Sequence, residues 1–288
     1  MKEFSNSAMT LEEVRRNLRK ALAEKYDERE AGNMAMLIMQ HLKGWSVAQV
    51  LANESREASE YIVNSAREII IKLMSDMPLQ YALGEAHFYG LSLKVVPGVL
   101  IPRPETEQLV DLIVKENDRP DLAVLDLCTG SGAIAIALAR NLPFSKVEAV
   151  DISPVAVKTA LENAENLNTR ITVRKGDIFS MSFLPDSFDI IVSNPPYIVE
   201  SEKIDMAPNV LKFEPEEALF VPDNDPLKFY DRTARIGLEA LKSDGKLYFE
   251  INPLFSERLK TMLLNLGYVR VEIIKDIHGK DRFATALK

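Results

Sequence analysis

The chain has 288 residues, enough for one large core and a smaller second domain. Its formal net charge of −8 argues against a dominant phosphate-binding surface, and so against a protein that coats nucleic acid. The single cysteine, Cys128, excludes an intrachain disulfide and suits a reducing, cytoplasmic setting.

The first part of the chain reads as helical. Thr10 and Glu13 have capping-box spacing, and Leu11, Val14, Leu18 and Leu22 follow at helical intervals. Met34, Leu37, Ile38 and Leu42 form a second stripe that Gly44 closes. Ser46 with Gln49 caps a short third helix. Ile62, Val63, Ala66, Ile69, Ile70 and Leu73 mark a fourth, which ends before Pro78. We read these stripes as the packing faces of a small helical bundle spanning residues 1–77.

Residues 78–104 read as a hairpin or extended linker, with Gly90 and Gly98 at turns. In Ile101-Pro102-Arg103-Pro104-Glu105-Thr106-Glu107, two prolines hold Arg103 in an extended segment. Arg103 is either a surface ion pair or a contact to an anion or substrate backbone. Glu105 or Thr106 then opens a helix through Leu109, Val110, Leu112 and Ile113.

From residue 105 to 288, strands and helices alternate. Strands are expected at Ala123–Leu127, Lys146–Asp151, Ile171–Lys175, Phe188–Ser193, Lys246–Ile251, Tyr268–Ile274 and Phe283–Leu287. Helices are expected at Ala133–Arg140, Pro154–Asn166 and around Phe229–Leu241. This rhythm predicts an α/β domain with a doubly wound, mostly parallel seven-stranded sheet, and an antiparallel edge formed by the last two strands. The start of the chain, Met1 to Ser7, has no apolar run of a leader. Ala123 to Ala139 contains Asp126 and two glycines and falls short of a membrane span. His41, His87 and His278 are scattered, so no metal set is expected.

Three strand ends carry pieces of a nucleoside site. After the first, Cys128-Thr129-Gly130-Ser131-Gly132 is a glycine loop leading into a helix start, whose free N–H groups face a ligand. After the second, Asp151 is placed to accept from both ribose hydroxyls. After the third, Phe179 is placed to pack on an adenine face. Gly130-x-Gly132-x-x-Ala135 also fits the dinucleotide fingerprint, so a nicotinamide-dependent dehydrogenase is a rival. Asp126, just before the loop, opposes it: a carboxylate there suits a cationic amino-acid end and repels a pyrophosphate. The later strand ends also carry no obvious acid–base residue for hydride transfer, only Asn194-Pro195-Pro196-Tyr197, and S-adenosylmethionine fits both observations. A tight turn with no ligand is the remaining alternative.

The strand Phe188–Ser193 stops on Asn194-Pro195-Pro196-Tyr197. Neither proline has an N–H, so the run cannot continue a central ladder and leaves carbonyls to accept hydrogen bonds. The Asn194 side-chain carbonyl and the Pro195 carbonyl together can hold both hydrogens of an NH2 group, with the Tyr197 ring as a flat face beside them. The alternative is an ordinary strand-ending turn. With the glycine loop, the first reading is a pocket for a planar nitrogen beside a methyl donor.

The glycine loop, Asp151 and Asn194-Pro195-Pro196-Tyr197 together resemble class I S-adenosylmethionine-dependent methyltransferases acting on a planar nitrogen. A longer resemblance runs from about residue 78 to the end. It covers Gln80-Tyr81-x-x-Gly84-Glu85-x-x-Phe88-Tyr89-Gly90 and Pro97-Gly98-Val99-Leu100-Ile101-Pro102-Arg103-Pro104-Glu105-Thr106-Glu107. The glycine loop and the Asn-Pro-Pro-Tyr run come next, then Phe213-Glu214-Pro215-x-x-Ala218-Leu219-Phe220 and Gly279-Lys280-Asp281-Arg282-Phe283. In this order the motifs resemble the peptide chain release factor glutamine methyltransferases, the PrmC/HemK type.

The resemblance implies methyl transfer from S-adenosyl-L-methionine to the side-chain nitrogen (N5) of the glutamine in the Gly-Gly-Gln motif of release factors, with S-adenosyl-L-homocysteine as product. It places the methyl donor on Cys128, Thr129, Gly130, Ser131, Gly132, Asp151, Phe179 and Asn194. It places the glutamine on Asn194, Pro195, Pro196 and Tyr197, of which Asn194, Pro195 and Tyr197 carry the catalysis. The chain departs from the family at Cys128 and Asn252, where glycine is usual, and at Val221–Pro226, which replaces a glycine-rich loop. A cytoplasmic monomer acting on a protein, without stable nucleic acid or membrane, is expected. The alternatives are a methyltransferase for nucleic-acid amino groups (adenine N6 or guanine N2) on a flipped base and a non-catalytic binding protein.

Overall fold

In the computed structural model, which describes residues 9–288, the chain divides between Gly84 and Glu85 into two units. The start of the chain, on which no leader is expected, lies outside the described residues.

The first unit is helical: α1 (Leu11–Leu22), α2 (Glu28–Lys43), α3 (Val47–Ala52), α4 (Glu60–Met74) and α5 (Leu79–Leu83). The capping box of α1 forms in both directions, Glu13 N donating to Thr10 Oγ1 at 3.2 Å and Thr10 N donating to the Glu13 carboxylate at 2.8 Å. Helix α2 ends on Gly44 with φ +64°, a left-handed stop that costs glycine nothing. The Ser46–Gln49 pair caps α3 reciprocally. Leu11, Val14, Leu18 and Leu22 are all buried, in one core with Ile38, Ala66 and Leu73. Residues 79–83, expected as part of an extended linker, form α5 instead. Pro78 caps it and Gly84, at φ +75°, ends it, so one turn of helix fits between two punctuating residues.

The second unit opens with a hairpin, β1 (Glu85–Phe88) and β2 (Leu91–Lys94). Its two turn residues, Tyr89 (φ +48°) and Gly90 (φ +73°), are both left-handed, as a two-residue hairpin turn requires. Helix α6 (Pro104–Glu116) follows. It starts one residue earlier than expected, because Pro104 occupies the first helical position with Arg103 as cap, where its missing N–H and fixed φ suit it.

The sheet elements are β3 (Ala123–Leu127), α7 (Ala133–Asn141), β4 (Lys146–Asp151), α8 (Pro154–Asn166), β5 (Thr172–Lys175) and β6 (Phe188–Ser193). The segment after β6 holds elements not foreseen: β7 (Ile198–Val199), a 3-10 turn, α9 (Pro208–Phe213), α10 (Glu216–Leu219) and β8 (Phe220–Val221). β7 and β8 pair in parallel as a separate two-stranded sheet. All are too short to show a hydrophobic period. Helix α11 (Lys228–Ala240), β9 (Leu241–Glu250), α12 (Ser256–Leu266), β10 (Val269–Lys275) and β11 (Asp281–Leu287) complete the unit.

The sheet has seven strands in the order β10-β11-β9-β6-β3-β4-β5. β5, β4, β3, β6 and β9 are mutually parallel, and β11 pairs antiparallel with both β9 and β10. The expected doubly wound sheet and antiparallel edge are therefore present. β9 begins earlier than expected, since Leu241 pairs with Phe188 before a register shift brings Lys246 opposite Ile190. Two apolar layers cover the faces: α6 and α7 contribute to one, α11 and α12 to the other. Order reverses between β3 and β4 on one side and β6 on the other, and the crevice beyond those strand ends is where ligands bind in such sheets. No helix among the described residues is long and apolar enough to cross a membrane.

Candidate active site

A cavity of about 350 Å3 opens at the carboxyl ends of β3, β4 and β6, a size within the usual range for small-molecule sites. Thr129, Gly130 and Ser131 line it from the glycine loop, Asp151 from the end of β4, and Phe179 from the loop after β5. Asn194, Pro196 and Cys128 line it as well. The three strand ends singled out in the sequence thus meet in one place.

The loop is held from behind. Thr129 N donates to the Val150 carbonyl at 3.1 Å, and Asn163 Nδ2 donates to the Ser131 carbonyl at 2.9 Å. Gly130 N donates to Asp151 Oδ2 at 2.8 Å and Ser153 N to Asp151 Oδ1 at 2.9 Å. Each Asp151 oxygen keeps a lone pair for a further donor, so the fixed carboxylate fits a diol. Burial pushes its pKa above the ordinary carboxylate value, against the pull of the Ser153 and Gly130 N–H groups.

Gly130 and Gly132 do different work. Both are left-handed, at +56° and +81°. A Cβ on Gly130 would meet nothing within 4 Å, whereas one on Gly132 would lie 3.0 Å from Ala160 Cβ and 3.2 Å from Ala160 Cα. Gly132 does not line the cavity; it lets α7 approach α8. Cys128 is also left-handed, at +64°, where a side chain carries a cost of about 1–2 kcal/mol. The departure from glycine is accommodated with that strain. Burial raises the Cys128 thiol pKa, with the Asp151 charge adding to it, so the group is a neutral thiol.

Asp126 is not brought to the cavity. It is fully buried beneath the loop, where its Oδ2 accepts from Thr129 Oγ1 at 2.6 Å and its Oδ1 has no partner. The side chain shapes the loop from below. Burial raises its pKa from 3.8 to about 7. Between those two values the native state holds a proton that the unfolded chain has released, so stability falls as pH rises. Relative to Asp126→Asn, the parent protein should lose stability between about pH 4 and pH 7 and show no further change above that. The full difference is up to ~4 kcal/mol at 1.36 kcal/mol per unit, read as the pH dependence of the difference in Tm.

The ring of Phe179 is 40% exposed at the cavity rim. It meets Phe229 edge-on at 5.2 Å, and the Lys228 ammonium lies 4.9 Å from its centroid. Ile152 stands on the same rim, 54% exposed. Two exposed apolar side chains thus line the same cavity as Asp151 and offer apolar surface on which a flat base can pack. Asp177 shapes this corner by accepting from Phe179 N at 2.9 Å.

Arg103 lines the cavity and pairs with Glu214 at 2.5 Å. Glu214 is buried and also accepts from Ile101 N at 3.2 Å. One carboxylate therefore ties the Ile-Pro-Arg-Pro run to the segment before α10, whose Pro215, Glu217 and Ala218 line the cavity mouth. Of the two readings of Arg103, the ion pair is present, and it builds the cavity wall.

Tyr197 turns away from the cavity. Its hydroxyl donates to Glu250 Oε1 at 2.9 Å, and its pKa is well above the ordinary value through burial and the Glu250 charge. It is a neutral phenol, not a base. Asn252, where the family usually has glycine, sits in extended backbone at φ −75°, so nothing there demands glycine. Its Nδ2 donates to the Tyr197 carbonyl at 3.1 Å and to Glu202 at 2.7 Å, bracing the Asn-Pro-Pro-Tyr run. Pro195 is buried and, like Tyr197, is not among the cavity-lining residues. Sequence reasoning assigns no role to Glu214, though it lies in the Phe213-Glu214-Pro215 run, nor to Glu250, whose signal is an acid ending the apolar strand Leu247-Tyr248-Phe249.

A sequence model of the methyltransferase small domain matches residues 105–216, and one of the PrmC N-terminal domain matches residues 13–84. A methyltransferase from Pyrococcus furiosus has the same fold, with a TM-score of 0.51 at 19% identity over 75% of this chain and 95% of that one. Fold, crevice and donor set define a methyltransferase that uses S-adenosylmethionine. A release factor glutamine methyltransferase from Bacteroides thetaiotaomicron is 47% identical, covering 93% of this chain and 97% of that protein. One from Flavobacterium psychrophilum is 37% identical, covering 95% of this chain and 98% of that protein. The chain belongs to the release factor glutamine methyltransferase family.

Proposed function

We propose that this protein methylates the side-chain nitrogen (N5) of the glutamine in the Gly-Gly-Gln motif of peptide chain release factors, leaving S-adenosyl-L-homocysteine. The observation that carries this reading is the position of Asn194: it directly follows β6, at the wall of the same cavity that the glycine loop and Asp151 line. When bound, S-adenosylmethionine supplies a methyl group on a positively charged sulfur.

Thr129 to Ser131 would hold the amino-acid end of the donor, Asp151 its ribose and Phe179 its base. Asn194 Oδ1 would accept one N–H group of the substrate amide and the Pro195 carbonyl the other. Pro195 does not itself line the cavity, but Asn194 and Pro196 on either side of it do, so a substrate amide must enter between them to reach that carbonyl. An amide nitrogen is a poor nucleophile because its lone pair is delocalised, so orientation and electrostatics do most of the work. Holding both hydrogens fixes the nitrogen and favours its pyramidal form as the new N–C bond grows. Tyr197, a neutral phenol bound to Glu250, fixes the backbone of the run that carries both acceptors. No strong base is needed: the nitrogen turns acidic as it gains the methyl group, and its proton leaves to solvent. The protein works in the cytoplasm, where release factors act.

Phe179→Ala should weaken S-adenosylmethionine binding by about tenfold or more, the range for losing one base-stacking aromatic, read by calorimetry. The function is tested by giving the protein labelled S-adenosylmethionine with a release factor and a nucleic-acid pool in one reaction. Label on the release factor supports the reading. Label on nucleic acid assigns the amide pocket to a flipped base, and label on neither assigns the chain to binding without transfer.

A further inference from the structure

Beside Asn194 lie two buried polar side chains, Thr106 and Glu250, whose link to each other the proposed chemistry leaves unassigned; Thr106 lines the same cavity as Asn194. Thr106 stands in the first turn of α6 and is 4% exposed; Glu250 is the last residue of β9 and is 1% exposed. β9 is the neighbour of β6, with Phe249 level with Ser193, so Glu250 lies beside Asn194 across the sheet. Thr106 Oγ1 donates to Glu250 Oε2 at 2.6 Å, and the Tyr197 hydroxyl donates to Glu250 Oε1 at 2.9 Å. Asn194 Nδ2 lies 3.4 Å from Thr106 Oγ1.

A hydroxyl has one hydrogen. The Thr106 hydrogen is taken by Glu250, so toward Asn194 its oxygen can only accept. The Asn194 group that faces it must then be the NH2. An amide held with its NH2 toward Thr106 turns its Oδ1 to the side away from Thr106, and both side chains line the cavity. The opposite flip would set two acceptors against each other in a buried place, a cost that disfavours it by about tenfold to a hundredfold.

We propose that Glu250, acting through Thr106, fixes the flip of the Asn194 side chain and so makes this subsite an acceptor that selects NH2 donors and rejects a carboxylate in the same position. Thr106 and Glu250 are positioning residues that act through Asn194. The Tyr197 bond to the second Glu250 oxygen holds the carboxylate in the orientation the relay needs. The inference rests on the reading of Asn194 as the acceptor for the substrate amide.

The full-length protein is compared with Thr106→Val, Thr106→Ser and Glu250→Gln. Thr106→Val should lower kcat by about tenfold to a hundredfold, the same factor as above, with S-adenosylmethionine affinity unchanged. Thr106→Ser, which keeps the hydroxyl and loses only a methyl group, should recover most of kcat even if Tm falls. Glu250→Gln can donate to Thr106 and reverse its polarity, so it should behave like Thr106→Val at nearly constant volume. It also carries the comparison if Thr106→Val fails to fold. A readout independent of catalysis is the Asn194 side-chain NH2 resonance, assigned by its loss in Asn194→Asp. It should exchange slowly in the parent and in Thr106→Ser, and faster in Glu250→Gln. Equal exchange in the parent and Glu250→Gln, or a kcat that follows Tm across all variants, overturns the relay. If the parent protein methylates no release factor, the assigned substrate falls, and the amide resonance still decides the relay.

Discussion

Asn194→Ala should lower kcat for release factor methylation by about a hundredfold to a thousandfold, the loss that follows removal of one preorganised hydrogen-bond partner from a reacting centre. The side chain lines the cavity at the end of β6 and offers the only side-chain carbonyl of the Asn-Pro-Pro-Tyr run. On the proposed mechanism, removing it would leave the substrate amide one acceptor, the Pro195 carbonyl, about which it could rotate. The groups proposed to hold most of the donor lie on other strand ends and are fixed without Asn194: the loop is bound to Val150, and Asp151 is held by Gly130 and Ser153. Calorimetric affinity for S-adenosylmethionine should therefore change little while single-turnover methyl transfer collapses. A methyl-transfer rate near that of the parent would remove Asn194 from the chemistry.

Gly132→Ala should destabilise the second unit by ~2–5 kcal/mol, combining a left-handed side chain with an overpacked helix contact. The new Cβ would meet the backbone of α8 at Ala160, which cannot swing aside as a side-chain end could. At roughly 2–4 °C per kcal/mol for a domain of this size, Tm should fall by about 4–20 °C. Gly130→Ala is the control. It shares the left-handed backbone but meets no atom within 4 Å, so its stability loss should be the smaller of the two, about 1–2 kcal/mol. Its effect should appear instead in weaker donor binding, because its new methyl group projects where the ligand approaches. Two glycines two residues apart should thus separate binding from packing in one pair of thermal melts and titrations.

The sheet and its crevice were readable because long elements carry a period and strand ends carry chemistry. Ala123–Leu127, Lys146–Asp151 and Phe188–Ser193 match the observed strands, and the residues just beyond them form the cavity. What stayed hidden depends on contacts between residues far apart in sequence. Glu214 is 111 positions from Arg103 and Glu250 is 144 from Thr106; no local pattern pairs them. Asp126 shows a different limit. Its place at a strand end suggested a ligand contact, yet both faces of β3 are covered and the side chain points under the loop. Burial of a central strand outweighed the expectation from charge. The segment from Ile198 to Val221 was silent because its elements are two to six residues long.

The two acceptors proposed at the end of β6 would hold the side-chain amide of a protein glutamine. The most direct measurement is tandem mass spectrometry of a release factor incubated with this protein and S-adenosylmethionine. One added methyl group on the side-chain nitrogen of the glutamine in the Gly-Gly-Gln peptide is the result expected. A methyl group on another residue, on nucleic acid, or nowhere would contradict it.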